Sequence, residues 1–125
     1  METLSIEMSA KTPLVKFNPR GNMEFRGRSI PENSIEFYSP VFDWIDDYAK
    51  HPQPETTVHI QLEYFNTSSS KCLLDIFKKL QTLHLAGNSK VTVHWYYEED
   101  DEDMLEAGED YQAIIRIPFV MSKTD

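Results

Sequence analysis

The feature that most constrains the fold is a segment in which a strand pattern changes directly into a helix pattern. Apolar and polar side chains alternate over residues 58–64, four hydroxyl residues follow at 67–70, and apolar residues then recur at helical spacing over 73–80. Alternation is typical of a half-buried strand, and the second spacing is typical of an amphipathic helix. The hydroxyl run is therefore predicted to begin a helix, with Thr67 or Ser68 as its capping residue. A phosphate attached there would be stabilised by unpaired backbone N–H groups and by the partial positive charge of the helix end.

The same alternation predicts that helices cover only one face of the sheet. Residues 91–97 repeat the pattern of residues 58–64, whereas a sheet buried on both faces would show continuous apolar runs. The face predicted to pack against helices consists of Val58, Ile60, Leu62, Val93, Trp95, Ile115 and Ile117. The opposite, open face carries His59, Gln61, Glu63 and His94. The pattern predicts an α/β protein with a small mixed β-sheet and helices mainly on one face. It excludes a Rossmann-type fold, for which the glycine-rich phosphate loop is also missing.

Turn and capping signals divide the rest of the chain into short elements. Residues 18–22 contain Pro and Gly between two alternating segments, which predicts an N-terminal β-hairpin. Ser39-Pro40 has the form of a helix cap followed by proline at the first helical position. The N-terminal half is predicted to contain an edge strand or ordered arm within 1–11, hairpin strands at 14–17 and 23–26, and a helix that begins at Pro40 and ends before His51. The predicted elements that follow are a strand at 57–65, a helix at 68–86, a strand at 91–97, a short helix within 98–110 and a last strand at 113–119. Their order predicts right-handed parallel strand–helix–strand units beside the antiparallel hairpin.

The net charge of −9 comes from one segment of the chain. Residues 98–110 include nine acidic residues and no basic ones, while acidic and basic residues outside them are equal in number, at 12 each. No basic stripe is available for a phosphate backbone, so nucleic-acid binding is not expected. The spacing also lacks the glycine and alternating ligands of a calcium loop. The segment is interpreted as a solvated turn and a short acidic helix, or alternatively as a surface for a basic partner.

Length and cysteine content narrow the class of protein. The 125 residues predict a single domain, 1–125, large enough for a hydrophobic core. Cys72 is the only cysteine, which excludes an internal disulfide and a cysteine-based zinc cluster and predicts a buried, inert thiol. The N-terminus does not have the form of a signal peptide, and no run reaches the roughly 18 apolar residues of a membrane span. The sequence therefore predicts a cytoplasmic protein that does not associate with membranes.

The sequence contains no motif that specifies catalysis. His59, Glu63 and His94 could meet on the open face as a metal site, although such residues on a half-exposed strand are usually ordinary surface residues. Asp43, Asp46 and Asp47, on or near the solvent side of the first helix, are a candidate set for an acid–base pair. No metal or organic cofactor is predicted, and no catalytic residue is assigned.

Three segments taken together resemble the SiaC-type bacterial regulatory phosphoproteins. They are Gly27-Arg28-Ser29-Ile30-Pro31-Glu32-Asn33-Ser34, Val41-Phe42-Asp43-Trp44-Ile45 and Tyr64-Phe65-Asn66-Thr67-Ser68-Ser69-Ser70-Lys71. Their order and spacing are more specific than either the Pro-Glu-Asn-Ser turn or the Asn-Thr-Ser-Ser junction alone. The resemblance covers roughly residues 12–121 and implies a STAS-like (SpoIIAA-like) fold, the fold of anti-sigma-factor antagonists.

The resemblance also implies a function. Proteins of this type are non-enzymatic switches in bacterial signal transduction, and the unphosphorylated form of the best-known member binds and activates a diguanylate cyclase. This would connect the chain to cyclic di-GMP and biofilm formation. A protein kinase and a PP2C-type phosphatase act on the threonine of the junction, which is Thr67 in this sequence. The neighbours of that site are Asn66, Ser68, Ser69, Ser70 and Lys71, and Lys71 could pair with the phosphate.

Several alternatives remain open from the sequence. Pro31, Glu32 and Asn33 form a turn that either contacts the partner or orders the chain before the first helix. The protein could also be an anti-sigma-factor antagonist in a partner-switching pathway, or a small enzyme or metal-dependent ligand binder that uses the open sheet face. A structural subunit without phosphorylation is a third possibility.

Overall fold

The computed structural model describes residues 1–124, which form six strands and three helices. The elements in chain order are β1 (Leu4–Ile6), β2 (Leu14–Asn18), β3 (Asn22–Ser29), α1 (Ser34–Tyr48), β4 (Glu55–Phe65), α2 (Thr67–Leu85), β5 (Lys90–Glu98), α3 (Glu102–Ile114) and β6 (Phe119–Thr124). The predicted N-terminal hairpin is confirmed as β2–β3, and β1 pairs with β2 as an edge strand.

The strand order explains why the helices lie on one face. The six strands are arranged in their order along the chain, with β1, β2 and β3 antiparallel and β3 to β6 parallel. Each crossover from one parallel strand to the next is expected to be right-handed. Because all three crossovers move in the same direction across the sheet, α1, α2 and α3 are placed on the same side.

The predicted division of the sheet into two faces is confirmed. All seven residues predicted to face helices are buried, with exposures between 0% and 4%, although Ile115 and Ile117 lie outside the strands. On the other face His59 and His94 are paired across β4 and β5, and their rings stack with centroids 4.9 Å apart. Gln61 and Glu63 on this face are exposed. The sheet therefore has an open face made largely of polar side chains.

The predicted start of the first helix is wrong by six residues. Helix α1 begins at Ser34, its cap is Asn33, and Pro40 lies inside it. Asn33 Oδ1 accepts a hydrogen bond from the backbone N–H of Glu36 at 3.1 Å, which satisfies one free donor of the first turn. Pro40 is the seventh residue of α1, so it removes one backbone donor to the preceding turn. That turn is packed in the core through Tyr38, which is fully buried. The cap at Asn33 and the packing of Tyr38 therefore determine where α1 begins, and the Ser39-Pro40 pair does not.

The predicted last strand is also wrong. Residues 113 and 114 end α3, and β6 runs from Phe119 to Thr124. Ile115 and Ile117 are buried, and Ile115 has an extended backbone. Their apolar alternation therefore has the pattern of a strand, although both residues lie between α3 and β6. Pro118 has no N–H to contribute, and pairing with β5 begins at the next residue, Phe119.

Two further sequence predictions concern single features. Cys72 is buried as predicted, and burial raises the pKa of its thiol. The acidic segment 98–110 does contain a helix, but α3 starts at Glu102 and extends beyond the segment to Ile114. Asp101 caps it by accepting a hydrogen bond from the N–H of Met104 at 3.0 Å. Within residues 1–124 no helix has the length and apolar character needed to cross a membrane.

Candidate functional site

The junction between β4 and α2 lies at the edge of the sheet where the parallel strands end. One residue, Asn66, separates the two elements, and it has an extended backbone while Thr67 is already helical. Asn66 Oδ1 accepts a hydrogen bond from the N–H of Ser69 at 2.9 Å. The capping residue is therefore Asn66, and the expectation that Thr67 or Ser68 is the cap is wrong.

Two of the serines after Thr67 make hydrogen bonds to neighbouring helices. Ser68 Oγ donates to Asn66 Oδ1 at 3.1 Å and lies 2.6 Å from Ser34 Oγ, the first residue of α1. Ser70 Oγ lies 2.9 Å from the hydroxyl of Tyr111 on α3, and this hydroxyl donates to the backbone carbonyl of Ser70 at 2.8 Å. These contacts connect the first turn of α2 to both other helices.

The remaining serine is part of a buried network. Ser69 is 0% exposed, and its Oγ accepts a hydrogen bond from Ser29 Oγ at 2.8 Å. Ser29 Oγ also lies 2.6 Å from the hydroxyl of Tyr38. Burial raises the pKa of Tyr38 to about 12, an effect that the hydrogen bond with Ser29 partly offsets. This network joins the end of β3, α1 and the first turn of α2.

Thr67 is the one hydroxyl residue of the run that these bonds leave out. It is exposed and occupies the first position of the 19-residue helix α2. The backbone N–H groups of a first turn have no intrahelical acceptors, and the helix end has a partial positive charge. Lys71 lies one turn further along α2 and is also exposed. A phosphate on Thr67 would therefore be in a favourable electrostatic environment.

The Pro31-Glu32-Asn33 turn lies beside this junction, because Ser34 contacts Ser68 at 2.6 Å. Pro31 is buried, Glu32 is exposed, and Asn33 caps α1. The turn therefore has a clear role in starting α1. Its exposed residues are also close to the junction, so partner contact stays a prediction.

An apolar groove of about 380 Å³ extends from Thr67 between α2 and α3. We refer to it as the α2–α3 groove, and it is lined by Thr67, Ser70, Lys71, Leu74, Ala107, Asp110, Tyr111 and Ile114. Ile114, at the end of the groove, is a large apolar side chain that is 63% exposed. Thr67 thus lies at the rim of a groove with an apolar lining and one acidic and one basic side chain.

The open sheet face holds two adjoining grooves, of about 410 and 360 Å³, that share Arg26, Gln61 and Tyr96. His59 Nδ1 lies 2.9 Å from the hydroxyl of Tyr96. Partial burial, followed by the adjacent His94, lowers the pKa of His59. Among residues 1–124 no group of three or more His, Cys, Asp or Glu side chains is arranged to hold a metal ion. The suggested set of His59, Glu63 and His94 is therefore not brought together as a metal site.

Comparison with known proteins agrees with the fold. A family model described as the SiaC family regulatory phosphoprotein matches residues 6–124. This chain belongs to the SiaC family. The family match confirms the resemblance carried by the Pro-Glu-Asn-Ser turn and the Asn-Thr-Ser-Ser junction.

The solved SiaC structures have the same architecture. SiaC of Pseudomonas aeruginosa is 29% identical and superposes with a TM-score of 0.91, covering 99% of this chain and 100% of SiaC. SiaC in the crystal structure of the diguanylate cyclase SiaD with its activator SiaC, also from P. aeruginosa, is 30% identical, with a TM-score of 0.91 over 97% of this chain and 99% of SiaC. A curated protein of P. aeruginosa strain UCBPP-PA14 is 30% identical over 100% of this chain and 99% of its own length. SiaC is thus an activator of a cyclase in the complex that has been solved.

Proposed function

We propose that this SiaC-family protein is a non-enzymatic switch that binds and activates a diguanylate cyclase when Thr67 is unphosphorylated. A protein kinase adds the phosphate to Thr67 and a PP2C-type phosphatase removes it, in the bacterial cytoplasm and without a cofactor in the switch protein itself. The family assignment and the solved complex of SiaC with the cyclase SiaD support this proposal.

The single observation that carries the proposal is the position of Thr67. Its hydroxyl is exposed at the start of α2, whereas the three serines after it are each hydrogen bonded. Because Asn66 provides the cap, the threonine side chain is not needed to begin the helix. An exposed hydroxyl that neither caps the helix nor joins these hydrogen bonds is available to a kinase active site.

Phosphorylation would change the surface through charge and hydration. The phosphate adds about 1.5 to 2 negative charges and three acceptor oxygens at the rim of the α2–α3 groove. A partner that covered the groove would have to remove water from this dianion beside the carboxylate of Asp110, which is costly. In the free protein, Lys71 and the N-terminus of α2 stabilise the same phosphate. The modified state is thus stabilised when the surface is free and destabilised when it is covered.

Exposed apolar residues around Thr67 provide a surface for the partner. Ile114 at the end of the groove is 63% exposed, Tyr64 at the end of β4 is 53% exposed, and Ile35 in the first turn of α1 is 75% exposed. Ile35 directly follows Ser34, which contacts Ser68 of the junction. Large apolar side chains exposed on one side of a domain are typical of interaction sites. We assign the contact with the cyclase to this side.

The test compares the protein with and without phosphothreonine at position 67, using a diguanylate cyclase from the same organism. The unmodified protein should bind the cyclase and increase its synthesis of cyclic di-GMP, and phosphothreonine at position 67 should weaken binding by about tenfold or more. Phosphothreonine placed at Thr82, an exposed residue near the other end of α2, is the matched control and should bind like the unmodified protein. Equal affinity of the two forms at position 67 would contradict the proposal. Binding that instead depends on His59 or Tyr96 would favour a role for the open sheet face.

A further inference from the structure

The run Thr67-Ser68-Ser69-Ser70 presents four adjacent hydroxyl groups, and the structure distinguishes them sharply. In a kinase reaction the hydroxyl oxygen attacks the γ-phosphorus of a nucleoside triphosphate. The new O–P bond forms as the bond to the nucleoside diphosphate breaks, and the hydroxyl proton passes to a base of the kinase. The attacking hydroxyl must therefore be accessible, and its proton must be free to leave.

Burial excludes Ser69, and hydrogen bonding excludes Ser70, as sites of phosphorylation. Ser69 is 0% exposed, so its oxygen cannot be reached while the first turn of α2 is intact. The hydroxyl of Tyr111 donates its only proton to the carbonyl of Ser70, so the 2.9 Å contact between the two hydroxyls requires Ser70 Oγ to donate to Tyr111. The proton of Ser70 is thus directed towards α3 and away from solvent.

Ser68 is the remaining competitor, because it is exposed and adjacent to Thr67. Its proton is donated to Asn66 Oδ1, so Ser34 must be the donor in the 2.6 Å contact between Ser34 Oγ and Ser68 Oγ. One lone pair and the proton of Ser68 are therefore both engaged. Ser34 itself is only 5% exposed and belongs to α1, so the hydrogen bond to the lone pair of Ser68 comes from a neighbouring helix, while Asn66 accepts the proton.

We infer that Ser34 determines the site of modification: by holding the hydroxyl of Ser68, it confines phosphorylation of the junction to Thr67. This inference rests on the proposed function, since it assumes a kinase that acts on the junction. It assigns to the last residue of the Pro-Glu-Asn-Ser turn a positioning role that acts on α2 across the interface between the two helices.

The experiment maps phosphate by mass spectrometry on tagged full-length variants expressed in the source organism. The wild-type protein should carry phosphate on Thr67 alone. Ser34→Ala should raise the ratio of phosphoserine 68 to phosphothreonine 67 by about five- to tenfold, which corresponds to the loss of one hydrogen bond of about 1 kcal/mol. The double variant Ser34→Ala/Thr67→Ala should be phosphorylated on Ser68, while Thr67→Ala alone should carry almost no phosphate.

The controls separate a change of specificity from a change of fold. Ser39→Ala removes an exposed hydroxyl from the same helix and should keep the wild-type pattern. Ser34→Thr keeps a donor at the same position and should also keep phosphate on Thr67. If Ser34→Ala proves to be unfolded by circular dichroism, Ser34→Cys, which retains only a weak donor of similar size, replaces it and should show the same shift.

The possible outcomes bear on two different claims. The role of Ser34 would be overturned if a folded Ser34→Ala or Ser34→Cys variant carried phosphate on Thr67 alone and the double variant stayed unmodified. That result would leave the proposed function intact. Absence of phosphate from Thr67 in the wild-type protein would overturn the proposed function, and the inference with it. Substantial phosphate on Ser68 of the wild-type protein would contradict the inference directly.

Discussion

Asn66 Oδ1 accepts a hydrogen bond from the backbone N–H of Ser69 at 2.9 Å, across the first turn of α2. Asn66 thus caps the helix, and the adjacent Thr67 does not. Because Asn66 provides the cap, Thr67 can be modified or substituted without loss of the capping hydrogen bond. The junction therefore combines a fixed backbone with a side chain that is free to change.

The first prediction follows from this arrangement. Asn66→Ala should lower the free energy of unfolding by about 1–2 kcal/mol, because the N–H of Ser69 loses its acceptor. Thr67→Ala should change it by less than about 0.5 kcal/mol, as expected for an exposed side chain. Urea unfolding followed by circular dichroism measures both values. A larger loss for Thr67→Ala than for Asn66→Ala would show that the threonine is the cap after all.

Strong local patterns in the sequence predicted most of the fold. Alternation over residues 58–64 and 91–97 predicts β4, β5 and the covered face of the sheet, because a strand with one buried and one solvated face shows this pattern. The predictions for α1 and for the last strand are wrong where local signals and tertiary packing disagree. Ser39-Pro40 predicts a helix start although α1 already contains both residues, and the alternation at Ile115 predicts a strand although this residue is buried outside the ladder.

The site was predictable in part. The motif selected Thr67, and strand–helix order placed it at the start of α2, but the sequence did not indicate which hydroxyls would be hydrogen bonded. The contact between Ser34 and Ser68 joins residues 34 positions apart, and the contact between Ser70 and Tyr111 joins residues 41 apart. Such contacts depend on how helices pack, and no local pattern encodes them. The α2–α3 groove was missed for the same reason, since α3 was expected to be shorter.

The second prediction concerns the packing of α3 on the sheet. A Cβ atom added to Gly108 would lie 2.5 Å from Trp95 Cδ1, which belongs to a fully buried side chain. Gly108→Ala should therefore lower the free energy of unfolding by about 1–3 kcal/mol, despite the better helix propensity of alanine. Glu109→Ala, on the exposed neighbouring position, should be close to neutral. Chemical unfolding monitored by tryptophan fluorescence tests both variants, and a stabilised Gly108→Ala protein would contradict the packing.

The third prediction is a pH dependence that originates on the open sheet face. Partial burial and the adjacent His94 lower the pKa of His59 in the folded protein, against the opposite effect of Glu24. The unfolded chain, with a histidine pKa near 6.5, then binds a proton more readily than the folded protein. The stabilising effect is complete above about pH 6.5 and is lost as the pH falls through the lower, folded pKa.

Unfolding measured between about pH 7.5 and 5.5 should show this loss, which stays below about 1 kcal/mol because His59 is partly exposed. His59→Gln should flatten the profile. His51→Gln, which changes an exposed histidine outside the stacked pair, is the matched control. A slope that is identical in the wild-type and His59→Gln proteins would assign the pH dependence to other groups.

The fourth prediction addresses the α2–α3 groove as the contact surface for the partner. Ile114 lines the groove and is 63% exposed, whereas Leu85, at the end of α2, is 51% exposed and lies outside the groove. Ile114→Ser should weaken binding of the cyclase by about tenfold or more if its side chain is buried on association, since burial of such a side chain contributes about 1.5–3 kcal/mol. Leu85→Ser removes a similar exposed area and should bind like the wild-type protein.

Both substitutions remove apolar surface that is already largely in water, so their unfolding free energies should remain within about 0.5 kcal/mol of the wild-type value. Titration calorimetry with the cyclase, combined with urea unfolding of the free variants, separates loss of contact from loss of stability. Equal weakening by Ile114→Ser and Leu85→Ser would indicate a general effect of surface hydrophobicity. Unchanged binding of Ile114→Ser would place the partner elsewhere, and the exposed Tyr64 and Ile35 on the other side of Thr67 would be the next positions to test.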